Sequence, residues 1–395
     1  METRPEISFD DTATAFSYKS DKEIRKANFV FTIVNHPWVS SFATGAVKLG
    51  LKLGLPIEGL IRTTVFEHFC GGESIEEAEQ TIQKLGKYHV GAILDYSVEG
   101  EHNDAAFDAT LQETLRTIEK AKSSVHIPFS VFKMTGLASA ELLENIQNDK
   151  ALSIDEQQAW ERVKKRVDMV CAKAFEMGVP VLIDAEETWI QNPIDALAYD
   201  MMAKYNKQKA IVFNTYQLYR TESLKNLREA FHVAAMHNYF FGVKLVRGAY
   251  MEKERKRAAD NNYADPIQPT KEATDDAFNK ALEFCIDNKQ RITFMCGSHN
   301  DYSNYYLTIL MNKHGMNPDD NRVWFAQLFG MSDNISFNLA KGGFNVAKYL
   351  PYGPVKSVMP YLLRRAEENT SVAGQSSREL TLIRKELRRR KDENG

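Results

Sequence analysis

The chain has 395 residues, of which 43% are hydrophobic and 26% charged, so it is long enough to bury a large core. Fifty basic residues against 53 acidic ones give a net charge of −3, which excludes a global basic field for nucleic-acid binding. The four cysteines are widely separated and form no CxxC pair. This spacing argues against a zinc site and favours reduced thiols in the cytosol.

The first residues, METRPEISFDDTATAF, show no targeting pattern. They lack a basic start followed by an apolar run, so we expect no secretory signal peptide. Their four acidic residues argue against a mitochondrial transit peptide.

Residues 1–88 are predicted to form an amino-terminal helical region, with helices from about residue 20 onward. Within it, IEEAEQTIQKLGKYH (75–89) predicts an amphipathic helix. The most apolar stretch, residues 29–61, contains too many polar interruptions to span a membrane. It predicts helical structure packed on the rest of the protein, and a surface that contacts lipid is the alternative. The interrupting residues are His36, Pro37, Lys48 and Lys52.

Eight short runs rich in Val, Ile, Phe and Leu follow, and amphipathic or polar stretches separate them. Such alternation is typical of a parallel sheet covered on both faces, and eight units favour a (β/α)8 barrel, of the TIM-like class, over an open doubly wound sheet. The runs are HVGAILDYS (89–97), IPFSVFKMT (127–135), VPVLIDAEE (179–187), AIVFNTYQLY (210–219), FGVKLVRGAY (241–250), RITFMCGSHN (291–300), RVWFAQLFGM (322–331) and FNVAKYLPYG (344–353).

The second domain, residues 89–395, therefore consists of a barrel up to about residue 370 and a carboxyl-terminal tail. The tail, SRELTLIRKELRRRKDENG, is basic and helical in pattern. We interpret it as a solvated terminal helix, with a contact to acidic lipid head groups as the alternative. Before the tail, Ser357 is expected to cap a helix that has Pro360 in its first turn.

Polar and aromatic side chains collect after these runs, where a barrel enzyme builds its active site. Lys133, Arg364 and Arg365 offer three cations at one mouth of the barrel, and an arginine fork fits a carboxylate through two parallel hydrogen bonds. The residues therefore predict a pocket for a small molecule with a carboxylate at one end and an apolar body. The set comprises Glu99, Lys133, Asp184, Gln217, Lys244, Arg247, Tyr250, Ser298, His299, Leu328, Tyr352, Arg364 and Arg365.

Other catalytic patterns are missing from the sequence. Neither GxSxG, GxGxxG nor GxxxxGK[ST] occurs. The acidic run Asp184–Glu187 is not matched by a second group with metal-ligand spacing, so no metal is expected. Composition and spacing alone predict a carboxylate-binding barrel and leave its reaction open.

Six stretches of the chain resemble the proline dehydrogenase (proline oxidase) family, in its stand-alone form. The resemblance implies a distorted (β/α)8 barrel that holds FAD non-covalently, oxidises L-proline to 1-pyrroline-5-carboxylate and passes the electrons to a membrane quinone. It further implies a cytoplasmic protein and leaves open a peripheral contact with the inner face of the cytoplasmic membrane. The stretches are FKMTGL, VLIDAEETWIQ, FNTYQLY, KLVRGAYMEKERKRA, FAQLFGMSDNIS and YLPYGPVKSVMPYLLRRAEEN.

The resemblance also assigns roles to individual residues. Arg364 and Arg365, helped by Lys133, resemble the clamp on the proline carboxylate, and Glu99 resembles the ion-pair partner of one arginine. Lys244 is expected to stabilise negative charge on the reduced flavin. The walls of the substrate pocket would be Asp184, Tyr250, Leu328 and Tyr352, and the cofactor contacts Gln217, Lys244, Val246, Arg247, Gly248, Ala249, Tyr250, Ser298, His299 and Glu368.

Three alternatives remain at this stage. Hydroxyproline-specific relatives differ near the turn before Arg364, so trans-4-hydroxy-L-proline is an alternative substrate. Flavin-dependent methylenetetrahydrofolate reduction uses the same barrel, but it gives the paired arginines no role. A non-enzymatic carboxylate-binding barrel would be colourless, because it would hold no flavin.

Overall fold

The computed structural model describes residues 7–34, 58–97, 103–371 and 375–393. Eight strands close into a barrel in the order of the chain, so the predicted TIM-like (β/α)8 architecture is confirmed. Each of the eight apolar runs forms one strand. The strands are β1 (Val90–Tyr96), β2 (Phe129–Lys133), β3 (Val181–Asp184), β4 (Val212–Gln217), β5 (Phe241–Val246), β6 (Ile292–Gly297), β7 (Val323–Leu328) and β8 (Val346–Tyr352).

Helices precede, connect and follow the strands. A π-helical turn covers Arg62–Phe66, and single 3₁₀ turns follow β2 (Met134–Gly136) and β3 (Thr188–Ile190). The helices are α1 (Thr12–Ala15), α2 (Asp21–Val34), α3 (Glu58–Ile61), α4 (Glu67–Phe69), α5 (Ile75–Gly86), α6 (Asp104–Lys122), α7 (Ala140–Gln147), α8 (Ile154–Met177), α9 (Gln191–Tyr205), α10 (Ser223–Met236), α11 (Met251–Asn261), α12 (Lys271–Asp287), α13 (Asp301–Lys313), α14 (Asp333–Lys341), α15 (Val355–Ser371) and α16 (Gln375–Glu393).

Local sequence explains where these elements begin and end. The longest helix, α8, begins with a capping box in which Ser153 and Glu156 exchange hydrogen bonds, and it ends at Gly178 in the left-handed conformation. Every residue of β4 and of β8 is buried. Strands covered on both faces are rich in apolar side chains, and the polar exceptions, such as Asn214 on β4 and Lys348 on β8, are themselves buried.

The chain divides into two compact units. The central unit contains residues 93–96 and 100–326, and therefore β2 to β6 with the helices between them. The terminal unit contains residues 1–92, 97–99 and 327–395, and therefore the helices at both ends of the chain together with β8.

In the terminal unit, α16 packs on α1 and α2. Its residues Leu382 and Ile383 are buried in one apolar cluster with Phe16 and Ile24. The guanidinium of Arg390 donates a hydrogen bond from Nη2 to the carbonyl oxygen of Phe16, at 2.9 Å. The predicted helix is confirmed, but its interpretation as solvated is wrong, because the apolar residues between its charges form a buried face.

Two other helix predictions can be compared with the structure. The amphipathic helix is confirmed as α5, whose Ser74 cap accepts a hydrogen bond from the main-chain nitrogen of Glu77. The cap predicted at Ser357 is wrong. The helix α15 begins two residues earlier, at Val355, since the carbonyl oxygen of Pro354 accepts from the nitrogens of Ser357 and Val358, and Pro360 lies inside the helix.

Residues 29–61 were predicted to be helical and packed on the rest of the protein. The structure describes this stretch only where it overlaps α2 and α3, and residues 35–57 lie outside the described residues. Within the described ranges, no helix combines the length and apolar character needed to cross a bilayer.

Candidate active site

An ion pair joins two strand ends of the central unit. Lys244 on β5 donates a hydrogen bond from Nζ to Oδ1 of Asp184, the last residue of β3. The two side chains are 6% and 15% exposed. In a barrel, alternate strands contribute side chains to one interior layer, so β3 and β5 can meet across β4. The partner of Lys244 was not predicted from the sequence.

Lys133 occupies the same register row as Asp184, because these two residues are paired across β2 and β3. The Nζ atom of Lys133 lies 3.9 Å from Oδ2 of Asp95 on β1. From the sequence, Glu99 was predicted to pair with one arginine and Asp184 to form part of the pocket wall. The structure adds Asp95 as an anchor for Lys133, while Asp184 holds Lys244.

Glu186 follows β3 and is 3% exposed. Its carboxylate accepts hydrogen bonds from the nitrogen and Oγ1 of Thr135, at 2.9 and 2.5 Å. Burial raises the pKa of Glu186 to about 7, although the bonds from Thr135 oppose the shift. Its main-chain oxygen accepts from Nε2 of Gln217, at 2.7 Å, so the predicted cofactor residue Gln217 also fixes the strand end beside it.

Arg247 directly follows β5, and polar side chains surround its guanidinium group. It donates from Nε to Asp275, from Nη1 to Oγ of Ser298 and from Nη2 to Oγ of Ser303, at 2.7, 2.7 and 2.9 Å. Its guanidinium carbon also lies 4.4 Å from the centre of the Phe278 ring. The structure therefore brings Arg247 and Ser298 together, as two of the predicted cofactor residues.

The loop Arg247–Tyr250 takes a conformation that requires glycine. Gly248 has a φ of +136°, and a Cβ atom there would lie 2.5 Å from the Tyr219 ring. The nitrogen of Tyr219 donates to the carbonyl oxygen of Arg247, at 2.8 Å. Ala249 is exposed and Tyr250 half-buried at the start of α11.

The other predicted residues of the central unit also lie at strand ends. Val246 is the last residue of β5, and its carbonyl oxygen accepts from the nitrogen of Leu218 at 2.8 Å. His299 is half-buried and follows Ser298, just before α13. The structure thus places the predicted residues of this unit in the last three residues of β2 to β5 or in the segments that follow β5 and β6.

The terminal unit carries the remaining predicted residues. Tyr352 ends β8 and is fully buried, and Leu328 ends β7 against an apolar cluster. Arg364 is half-buried on α15. Glu99 lies outside the described residues, as do the side chains of Arg365 and Glu368, whose backbone belongs to α15.

Sequence reasoning missed a buried charge cluster in the terminal unit. Lys348 on β8 is 0% exposed, and its Nζ lies 2.9 Å from Oδ1 of Asp333. The other oxygen of Asp333 accepts from Tyr18 and Lys19, at 2.9 and 2.8 Å. Burial alone would raise the pKa of Asp333, but Lys19 and Lys348 hold it well below its usual range. A lysine inside the apolar run FNVAKYLPYG was the available signal.

A second buried carboxylate adjoins that cluster. Glu379 on α16 is 5% exposed and accepts a hydrogen bond from the nitrogen of Ser332. Burial raises the pKa of Glu379 to about 7, and the nearby Asp333 carboxylate raises it further, while Lys348 and Lys19 lower it.

Among the residues the structure describes, no group of three His, Cys, Asp or Glu side chains is arranged to hold a metal ion.

The family model of proline dehydrogenase (Pro_dh) matches residues 78–378. This match covers well over half of the chain and includes all eight strands. The fold and the sequence together define a barrel oxidoreductase, and the chain belongs to the proline dehydrogenase family. The family predicted from the sequence motifs is therefore confirmed.

Similar curated proteins and solved structures agree with this assignment. The chain is 36% identical over 333 residues to the carbapenem antibiotics biosynthesis protein CarD of Pectobacterium carotovorum, covering 84% of this chain and 86% of that protein. It is 32% identical over 426 residues to proline dehydrogenase 1, mitochondrial, of Dictyostelium discoideum, covering 96% of this chain and 74% of that protein.

The fold is shared with proline utilization A (PutA) from Bdellovibrio bacteriovorus, in a structure inactivated by N-propargylglycine. The TM-score is 0.71 at 19% identity, and the superposition covers 92% of this chain. It covers only 37% of the PutA chain, so this chain spans well under half of that larger protein.

Proposed function

We propose that this protein is an FAD-dependent proline dehydrogenase that oxidises L-proline to 1-pyrroline-5-carboxylate. The observation that carries the proposal is the family match over residues 78–378. The cations and carboxylates at the strand ends of the central unit support it, because they suit a small charged substrate beside a charged cofactor.

The donor set of the central unit fits a cofactor that carries phosphate groups. Arg247 supplies a cation that is 22% exposed, and Ser298 supplies a hydroxyl beside it. Both adjoin the first turn of α13, which begins after Asn300, and a helix amino terminus favours anions. Val246, Gly248, Ala249, Tyr250, His299 and Gln217 would complete the contacts, and Glu368 of the terminal unit would hold part of the nucleotide.

For the substrate, we propose that Arg364 and Arg365 bind the carboxylate of proline and that Lys133 assists. A bidentate arginine contact fixes the direction of the bound molecule as well as its charge, which orients the carbon that loses hydrogen. Glu99 would hold one arginine in place. Asp184, Tyr250, Leu328 and Tyr352 would form the walls around the ring.

A bound flavin would accept the electrons and the hydrogen removed from proline. Lys244 would hold a positive charge near the cofactor, with its orientation fixed by Asp184. We further propose a membrane quinone as the final electron acceptor, and a cytoplasmic location with peripheral contact to the inner face of the membrane.

Absorbance spectroscopy of the purified protein tests the proposal. We expect a flavin spectrum, or uptake of added FAD, and bleaching when L-proline is added without oxygen. Bleaching only with trans-4-hydroxy-L-proline would keep the site and change the substrate. A colourless protein that takes up no FAD would contradict the proposal and leave a carboxylate-binding barrel.

A further inference from the structure

Glu254 on α11 is a buried carboxylate to which the proposed site residues give no role. It is 0% exposed. Its Oε1 accepts a hydrogen bond from the main-chain nitrogen of Thr188 at 2.7 Å, and its Oε2 accepts from Thr188 Oγ1 at 2.6 Å. Burying a carboxylate is costly unless hydrogen bonds compensate for the lost hydration. Thr188 supplies both of these hydrogen bonds to Glu254, so the contact constrains the two chain segments that carry Glu254 and Thr188.

The two segments both adjoin the proposed active site. Thr188 begins the 3₁₀ turn that follows Asp184 and Glu186. Glu254 lies in the first turn of α11, where its nitrogen donates to the carbonyl oxygen of Tyr250 at 2.9 Å. The bond from Glu254 to Thr188 therefore ties the start of α11, and with it the loop Arg247–Tyr250, to the end of β3.

Neighbouring contacts hold the same helix against this turn and against α7. Lys253 pairs with Glu187, and Arg257 pairs with Glu144. The guanidinium carbon of Arg257 also lies 4.3 Å from the centre of the Trp189 ring. Lys253 and Arg257 are partly exposed, so their contribution is smaller than that of the buried pair.

The loop itself is confined from two further directions. On one side the Tyr219 ring lies against Gly248, and on the other the Arg247 side chain is held by Asp275 and Ser298. Glu254 adds a buried restraint on the far side of the loop, because it ties the first turn of α11 to Thr188. A loop held in advance binds a ligand more tightly, because less freedom is lost on binding.

We propose that Glu254 is a positioning residue that acts through Thr188 to hold the loop Arg247–Tyr250 in the conformation that binds the cofactor. The inference rests on the proposed function, since the ligand of this loop is taken to be FAD. It predicts that loss of the contact weakens cofactor binding and leaves the reaction of the fully loaded enzyme largely intact.

Equilibrium titration of the apoprotein with FAD, followed by flavin fluorescence, tests the proposal. Glu254→Ala should raise the Kd for FAD about tenfold, and Thr188→Val, which keeps the main-chain donor and the side-chain shape, about threefold. The double variant should bind FAD about as weakly as Glu254→Ala alone, because both changes break one contact. Glu252→Ala, an exposed glutamate two residues away on α11, is the matched control and should leave the Kd unchanged.

Measurements on the loaded enzyme separate positioning from fold stability. At saturating FAD, kcat of Thr188→Val should equal the wild-type value, and the visible circular dichroism of the bound flavin should be restored. Variants that melt at a lower temperature but bind FAD with the wild-type Kd would overturn the inference and leave Glu254 a purely structural residue. If the wild-type chain itself bound no flavin, the proposed function would be overturned and this inference with it.

Discussion

Lys244 on β5 and Asp184 at the end of β3 form a largely buried ion pair across the strand that separates them. Each residue neutralises a charge that the other would otherwise leave in a poorly hydrated interior. Removing one partner of such a pair is strongly destabilising, because the second charge remains without compensation. The pair therefore links the stability of the barrel to the proposed cofactor site.

The first prediction concerns this ion pair. Lys244→Met and Asp184→Asn should each lower the free energy of unfolding, by about 3 kcal/mol. The double variant should lose less than the sum of the two, since it removes both charges together. Urea unfolding of the four proteins provides the double-mutant cycle. Strictly additive losses would show that the two side chains do not interact in solution.

The second prediction concerns the arginine pair. Arg364→Ala should raise the KM for L-proline at least about 30-fold, because a charge-assisted contact with the carboxylate is lost. Arg364→Lys should recover part of this loss, since it restores the charge without the planar fork. Steady-state kinetics measures both. Arg384→Ala, an exposed arginine on α16, is the control, and an equal effect in that variant would exclude a specific role for Arg364.

The third prediction concerns pH. The pKa of Glu379 rises from its usual 4.5 to about 7 in the folded protein, so the native state keeps a proton that the unfolded chain has lost between these values. This contribution to stability is complete below pH 4.5 and disappears as the pH rises through 7.

The Gln side chain of the variant Glu379→Gln cannot ionise, so the variant does not lose this contribution as the pH rises. Its free energy of unfolding minus that of the wild type should therefore increase by about 2 kcal/mol between pH 5 and pH 8. Thermal melting of both proteins across this range measures the difference. The charged groups facing Glu379 are Asp333, Lys348 and Lys19, and they are unchanged in the variant. A difference that stays constant with pH would contradict the raised pKa.

The fourth prediction concerns Gly248. Gly248→Ala should weaken FAD binding at least about tenfold, because the new methyl group meets the Tyr219 ring and the backbone conformation disfavours any side chain. Gly178→Ala is the matched control, since Gly178 also has a positive φ but no atom lies within 4 Å of its Cβ position. It should cost about 1 kcal/mol of stability and leave FAD binding unchanged. Equal FAD affinities in the two variants would contradict the prediction.

The strands were predictable because their signal is local. A strand such as β4, buried at every residue, favours β-branched, aromatic and other apolar side chains, and the run AIVFNTYQLY is rich in them. The carboxyl ends of barrel strands then indicated where polar residues such as Lys133 and Asp184 would gather. Both steps depend only on neighbouring residues and on a general property of the fold.

The partners of these residues were not predictable in the same way. Thr188 and Glu254 are 66 positions apart, and Lys19 and Asp333 are 314 apart. No local pattern encodes such a pair, because tertiary packing brings its members together. The tail α16 was misread for a related reason. Its mean composition is basic, but Leu382 and Ile383 lie on one face and are buried against α1 and α2.

Identification of the product tests most directly whether this protein oxidises proline, as we propose. Purified protein, FAD and a soluble quinone are incubated with L-proline or with trans-4-hydroxy-L-proline, and the products are analysed by mass spectrometry. We expect L-proline to lose two hydrogens and give 1-pyrroline-5-carboxylate, with stoichiometric reduction of the quinone. Flavin-loaded protein that leaves L-proline unchanged under these conditions would contradict the proposal.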